Sequence, residues 1–512
     1  MLFSADSPLR GPRRIALLAV ALLVPLAACQ PTPPGSTTTT TTTAPGRTVP
    51  TTTPLVVVKP TSHPNVPLAP GQIGLLSVNA GWCWWQSQRA VIAGNTLVVG
   101  SVPHASGTGG ATRKTQVLTS DLVTGATKTV TLASNPYRDD DHDSPGLVVN
   151  PNGTVTAGWT GHGEDGTLRF ATSKPGDLGT WTRLPDQALP PVPAVAQTTY
   201  GNVLRSEGLL WNFSRRNNRN WAMWSSDDGA TWNGAWLLLG GTLGSNGMAS
   251  QRPYVSFTSN APLDRIDFVT TAGHPKDVTQ GALYSGYIKG FNVYRTDGTL
   301  MGPLGSGPGY APTALTEGAR PPTTVDDDFP APYDTADLWS SDLRVDSTGA
   351  PIVTFSLRSP AASTVTGKTY AHDYYWSRWN GTAWVTSHLG QAGGELFASE
   401  QDYTGLVTLD PTDPYRVVAS SDVNPVTGAP LVSAADGKVH YELFEARSAD
   451  AGVTWTWASI TKDSRDDNLR PLMATNGQGL LAMTWLQGEY RSWLSWTTRA
   501  LVVVGQPPTT PL

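Results

Sequence analysis

Cysteine, charge and helical periodicity are all scarce in this chain. With only 2 cysteines among 512 residues, Cys29 and Cys83, a disulfide framework is excluded. Charged residues make up 15% and the formal net charge is -5, so there is no general basic field and nucleic acid is not an expected partner. No long stretch repeats apolar residues at the helical period, which argues against a helical bundle. The apolar run at 15–28 is too short to span a membrane comfortably. What the chain has instead is 52 glycines, 42 prolines and 19 tryptophans, a balance that suits many short strands joined by tight turns.

The start reads as an export signal. Arg10, Arg13 and Arg14 precede the apolar run, giving a signal peptide over 1–28. Its end, LAAC (26–29), resembles a bacterial lipobox, which implies that Cys29 is the lipidated first residue of the mature chain; an ordinary cleavage site with an incidental cysteine is the alternative. The Pro/Thr-rich segment 29–59 cannot pack a core and reads as a disordered linker. These features predict an exported monomer, held at the outer face of the cell membrane by lipid or secreted. Cys83, in GWCWW, reads as a small buried hydrophobe.

From about residue 60 the chain alternates short β-branched runs with turn signals, as in AVIAGNTLVVGSV (90–102) and GLVVNPNGTVTAGW (146–159). SSDDGATW (225–232) and SADAGVTW (448–455) both fit the Asp-box, Ser-x-Asp-x-Gly-x-Thr-Trp. Its Ser and Asp bond turn backbone, its Gly takes a positive φ and its Trp packs between strands. SKPGDLGTW (173–181) reads as a degenerate copy, and WNGTAW (379–384) keeps only the turn and the tryptophan. Asp-boxes mark the hairpins of β-propeller blades and carry no chemistry. The pattern predicts an all-β chain with a single β-propeller over 60–505, of about seven blades at the repeat length common in propellers. The Pro/Gly-rich stretch 301–334 reads as a loop over one face, and 506–512 as a disordered tail.

Stretches from GWCWWQSQRAV (81–91) through DDDHDSPGLVVNPNGTV (139–155), TGHG (160–163), TYGNVL (199–204) and QRPYVSF (251–257) to ITKDSRDDNLRP (460–471) resemble the BNR repeat-containing (Asp-box) propeller family, which includes ulvan lyase-like polysaccharide lyases. In the lyase members, the resemblance implies, two histidines, a tyrosine and an arginine line the substrate groove. The matching residues are His142, His162, Tyr200 and Arg216, with Arg215 as the neighbouring choice and with Tyr254 and Arg252 of QRPY as further substrate contacts.

This set suits β-elimination on a uronic-acid-containing polysaccharide. A cation neutralises the carboxylate, a base takes the C5 proton and an acid protonates the leaving oxygen. His142 is assigned as base, Tyr200 as acid, and His162 with Arg216 as carboxylate binders, though the two histidines can exchange roles. The bland reading is that His142 is a hydrogen-bond partner within its own Asp-rich loop. Four aspartates around it would also repel an anionic substrate unless they point into loop hydrogen bonds.

Two other functions stand beside the lyase. One is a non-catalytic carbohydrate-binding surface lipoprotein, with Trp159, Trp211 and Trp339 as candidate sugar-stacking rings. The other is a glycoside hydrolase; a sialidase is disfavoured because no Arg-Ile-Pro motif occurs. No cofactor or metal is expected. His274 and His372 lack a full zinc ligand set, and Ser285 stands where the family often has a histidine. The Asp runs at 139–143 and 326–328 are the places where structural calcium would bind, and solvated loop charge is the simpler reading.

Overall fold

The β-branched runs pair as the turn signals dictate. In the computed structural model the described residues are 68–83, 88–104, 113–135, 139–188, 198–241, 243, 248–275, 282–318 and 337–512. The signal peptide, Cys29, the linker and Asp326 to Asp328 lie outside them. Among the described residues the strands form seven antiparallel sheets, the blades of a β-propeller, and the only helical pieces are three single 3-10 turns.

The inner strands, in chain order, are Ala90–Ala93, Gly146–Val149, Thr198–Ser206, Val255–Asn260, Leu338–Val345, Val407–Asp410 and Asn468–Thr475. We number the blades 1 to 7 in that order. Neighbouring inner strands pack against one another around the ring, blade 7 against blade 1 included. Ile73–Ser77 pairs with Ser495–Val504, so the N-terminal strand completes the last blade and closes the circle. Between blades 2 and 3 the approach is close enough to require glycine: a Cβ on Gly146 would meet the Gly201 carbonyl oxygen at 2.2 Å, and one on Gly201 the Gly158 oxygen at 2.4 Å.

Both full Asp-boxes join the third strand of a blade to the fourth. In blade 3 the Ser225 hydroxyl donates to Asp227 and accepts from the Gly229 N–H, both at 2.8 Å, while Asp227 accepts from Thr231 N–H and hydroxyl. In blade 6 Ser448, Asp450, Gly452 and Thr454 repeat the same bonds. The degenerate copy in blade 2 differs, because Ser173 accepts instead from the Val155 N–H on a neighbouring strand.

Two expectations change. The stretch at 301–334 is not all loop: Leu300–Pro303 adds a fifth strand to blade 4, and Thr316–Glu317 pairs with Tyr284 and Ser285 of the third strand. The chain end is ordered too, since Thr510–Pro511 pairs with Ala458 and Ser459 at the edge of blade 6. Both segments find unpaired edge N–H and C=O groups, which a sheet edge offers to any extended chain and which a reading of alternation does not register.

Candidate functional site

Strand alternation fixes two ends of the propeller. The start of each inner strand and the hairpin between second and third strands lie at one end; the Asp-boxes lie at the other. At the first end every blade turns a large side chain toward the axis: Arg89, His142, Tyr200, Tyr254, Trp339, Tyr403 and Arg470, all buried. Four blades use a backbone device to do so. Gln88, Tyr200, Leu406 and Arg470 have positive φ, at +46°, +67°, +77° and +53°. Pairing slips beside Tyr200 and Arg470, as a bulge requires. A bulge re-aims a side chain, and a non-glycine residue at positive φ costs about 1–3 kcal/mol, strain that the surrounding blades hold in place.

Asp140 is the hub. It caps the 3-10 turn Asp141–Asp143, and its Oδ1 accepts from the His142 backbone N–H at 3.0 Å and from His142 Nδ1 at 2.7 Å. Its Oδ2 accepts from His162 Nδ1 at 2.8 Å. Burial would raise the Asp140 carboxyl, but the charge on His142 and the bonds from both rings outweigh it and hold it well below the usual range. An ionised carboxylate accepts only, so both rings carry hydrogen on Nδ1, which leaves Nε2 as each ring's other working atom. The rings stack with centroids 4.0 Å apart.

The stacked rings differ in charge. Burial lowers the His142 imidazole, yet the Cys83 sulfur and the carboxylates of Asp140 and Asp141 more than compensate and hold it well above its ordinary value. His162 is pushed down to about 4 by burial and by the charge on His142, with Asp140 only partly opposing. At neutral pH the pair is therefore one imidazolium, His142, and one neutral imidazole, His162. His162 is also the more open ring, with its side chain 21% exposed against 7% for His142.

The aspartates point inward. Asp141 accepts from Arg470 at 2.8 Å and from the Tyr490 hydroxyl. Asp143 accepts from the His162 N–H at 2.7 Å, and burial beside Asp140 pushes its carboxyl well up, toward the neutral acid. With Asp140 and Asp141 answered by His142 and Arg470, the guanidiniums of Arg215 and Arg89 leave the site positive. Of the carboxylates considered for calcium at 139–143, those of Asp140, Asp141 and Asp143 each accept from hydrogen-bond donors.

Tyr200 sits 5.7 Å from His142 by ring centroids, and its buried hydroxyl has no hydrogen-bond partner. Burial pushes that phenol well above its usual value, so it is a proton donor. The Arg215 guanidinium lies over the Tyr200 ring at 5.0 Å and over the Tyr254 ring at 4.5 Å. Arg216, one residue further along an extended strand, points to the opposite face. The geometry thus gathers His142, His162, Tyr200, Tyr254 and Arg215 and sets Arg216 apart. Arg252 precedes Tyr254 by two residues and is part-exposed.

Other expected residues have different surroundings. Trp159, Trp211 and Trp339 are at most 2% exposed and are packing residues, with no face open to a sugar. His274 lies edge-on to Tyr254 and Trp339, and His372 lies within 3.3 Å of the Gly393 carbonyl oxygen. Ser285 bonds Thr296 and the Trp384 indole, a structural duty. Among the described residues, the groups close enough to share a metal are Cys83 with Asp141 and His142, and Asp140 with His142 and His162. Neither includes His274 or His372.

Residues 109–392, more than half of the chain, match the model of the family described as BNR repeat-containing family member. The chain belongs to this BNR repeat-containing family. No curated protein is significantly similar to it. Among solved structures, the BNR propeller resembles a PL25 ulvan lyase described as bound to -[GlcA(1-4)Rha3S]-, at 12% identity and a TM-score of 0.56, over 85% of this chain and 96% of that one. It also resembles the polysaccharide lyase Uly1, at 10% identity and a TM-score of 0.51, over 86% of this chain and 97% of that one. At these identities the likeness is one of fold.

Sequence reasoning missed Asp140 as the hub, and Arg89, Tyr403 and Arg470 as members of the ring. Arg89 and Arg470 stand in the quoted stretches GWCWWQSQRAV and ITKDSRDDNLRP, but only ring closure brings those stretches together.

Proposed function

We propose that this BNR propeller is a polysaccharide lyase that cleaves a uronic-acid-containing polysaccharide by β-elimination. One observation carries the proposal: a single carboxylate, Asp140, holds two stacked histidines by Nδ1 beside a buried tyrosine hydroxyl that lacks a partner. The likeness to a fold whose named ligand contains glucuronate supports the substrate class.

In this reading the roles of the histidines are the exchanged ones. The His142 imidazolium and Arg215 bind the uronate carboxylate and make the C5 proton more acidic. His162 Nε2 takes that proton, the electron pair forms the C4–C5 double bond, and the C4–O bond breaks. Tyr200 gives its phenolic proton to the departing oxygen and recovers one from water. The alternative, glycan binding without catalysis, is favoured by the burial of His142 against its own aspartates. Export, with a lipid on Cys29, is part of the proposal.

The test is incubation with a panel of uronic-acid polysaccharides while absorbance of the unsaturated product is followed. Product formation that His162→Ala and Tyr200→Phe each abolish is expected. Binding of a polysaccharide without product would establish the alternative; full activity in either variant would sink the role assignment. Labelling with a fatty acid, lost in Cys29→Ser, tests the anchor, and unchanged labelling would refute it.

A further inference from the structure

His162 stands on the hairpin 161–166, between the second and third strands of blade 2. Asp140 holds its ring at Nδ1. A bond at the tip of a side chain leaves the torsions behind it free to follow any movement of the main chain, so that bond alone does not aim Nε2.

The main chain of the hairpin has anchors of its own. Asp143 Oδ1 accepts from the His162 N–H at 2.7 Å, and the Gly163 N–H donates to the Thr198 carbonyl oxygen at 3.3 Å. Asp143 ends the same 3-10 turn that Asp140 caps. The turn 140–143 therefore grips His162 at both ends, the ring through Asp140 and the main chain through Asp143. With both ends fixed, the side-chain torsions have little freedom left and Nε2 has one direction in which to point. Thr198 lies two residues before Tyr200 on the inner strand of blade 3, so the hairpin also ties the proposed base to the strand that carries the proposed acid. Asp143 itself is 3% exposed and acts through His162, not on a substrate.

We propose that Asp143 is a positioning residue for the elimination: its carboxyl oxygen fixes the main chain of His162 so that Nε2 meets the C5 proton of a uronate. This rests on the reading of His162 as base given above. What the position requires is an acceptor and not a charge. Burial beside Asp140 pushes the Asp143 carboxyl well up toward the neutral acid, and an amide matches a neutral acid in shape and keeps the accepting oxygen. Asp140 differs, because both of its oxygens must accept.

The test is a pair of variants assayed on a uronic-acid polysaccharide that the parent cleaves. Asp143→Ala should lower kcat by about 100-fold, the cost of a misplacement of about 1 Å, and leave KM within about twofold. Its acid limb should move up from about 4, because a loosened ring gains water and burial is what lowers it. Asp143→Asn should restore most of kcat and return the limb. Asp143→Ser, too short to keep the contact, takes the place of the alanine variant if that does not fold. Parental kcat and limb in Asp143→Ala, a change in KM alone, or equal losses in the alanine and asparagine variants would overturn the proposal. If the parent cleaves none of the polysaccharides, the lyase reading fails by itself, and crystal structures of the two variants decide whether Asp143 places the ring. The ring should leave its 4.0 Å stack on His142 in Asp143→Ala and keep it in Asp143→Asn. The same ring position in both would overturn that placement.

Discussion

The two ends of this propeller use aspartate in opposite ways. At the Asp-box end, Asp227 and Asp450 are exposed, and each accepts bonds from a threonine hydroxyl and N–H, bonds that hold Asp227 below the usual carboxylate range and Asp450 down to about 2. At the other end Asp140, Asp141 and Asp143 are buried, and their states diverge: Asp140 and Asp141 stay ionised beside cations, while Asp143 is pushed up toward neutrality. Hydrogen bonds within one turn need only a local sequence, so they recur from blade to blade. Buried charges need partners from other blades, so each blade supplies a different residue. Repetition builds the scaffold, and departures from it build the site.

The comparison breaks most visibly at the hub. Asp140→Asn replaces an acceptor-only carboxylate with an amide, which can satisfy at most one ring through its oxygen. Turnover in the proposed elimination should fall by about 10³–10⁴-fold, the scale on which a misoriented histidine acts, with a smaller change in KM. Activity within tenfold of the parent would show that Asp140 is only a loop cap. Next in size is the arginine pair. Arg215→Lys should lower kcat/KM by about 100-fold, since a point charge cannot replace a guanidinium lying over two rings. Arg216→Lys should stay within about threefold, because that side chain points to the other face. Equal losses would show that strand parity misplaces the groove.

The pH profile sharpens the difference between the stacked rings. With His162 at about 4 in the folded protein, activity should rise through about pH 4 and be level by neutrality. A limb near 6.5, the value of an unperturbed histidine, would assign the base differently. Stability carries the same signature. The folded ring resists protonation, and the unfolded ring takes a proton near 6.5. His162's contribution is therefore complete above pH 6.5 and lost as pH falls from there to about 4, amounting to about 3 kcal/mol. His372, which burial also pushes to about 4, adds a slope of the same sign. Urea denaturation at pH 7 and pH 4.5, compared between the parent and His162→Gln, isolates the His162 share, and an identical acid loss in both would remove it.

Much of the scaffold was legible because its signals are local. Asn-Gly turns, β-branched alternation and two Asp-boxes each span less than a hairpin, and they specify blades without reference to the rest of the chain. The candidate site was partly legible. His142, His162, Tyr200, Tyr254 and Arg215 stand out as residues and meet in space. What joins them does not show in sequence: the bulge that gives Tyr200 its positive φ, the strand parity that separates Arg215 from Arg216, and the ring closure that brings Arg470 to Asp141. The strands at 300–303 and 510–511 were hidden for a related reason, since edge pairing depends on what the edge offers and little on the added strand's own pattern.

The smallest expected effect lies at the Asp-box end, and it tests whether the two ends are independent. Ser225 is fully buried at the end of the third strand of blade 3, where its hydroxyl bridges Asp227 and the Gly229 N–H. Ser225→Ala removes both bonds from a turn whose Trp232 stacks on Phe170 of blade 2 at 4.3 Å. The cost should be about 1–2 kcal/mol in urea denaturation. Ser448→Ala, in the more exposed box of blade 6, should cost less, because water replaces the lost partner there. Neither change should move kcat of the proposed elimination or its pH profile, since inner-strand bulges and the Asp140 bridge are fixed by contacts at the opposite end. A shift of the acid limb in either variant would mean that turn geometry at one end reaches the histidines at the other, and the scaffold and the site would then have to be treated as a single cooperative unit.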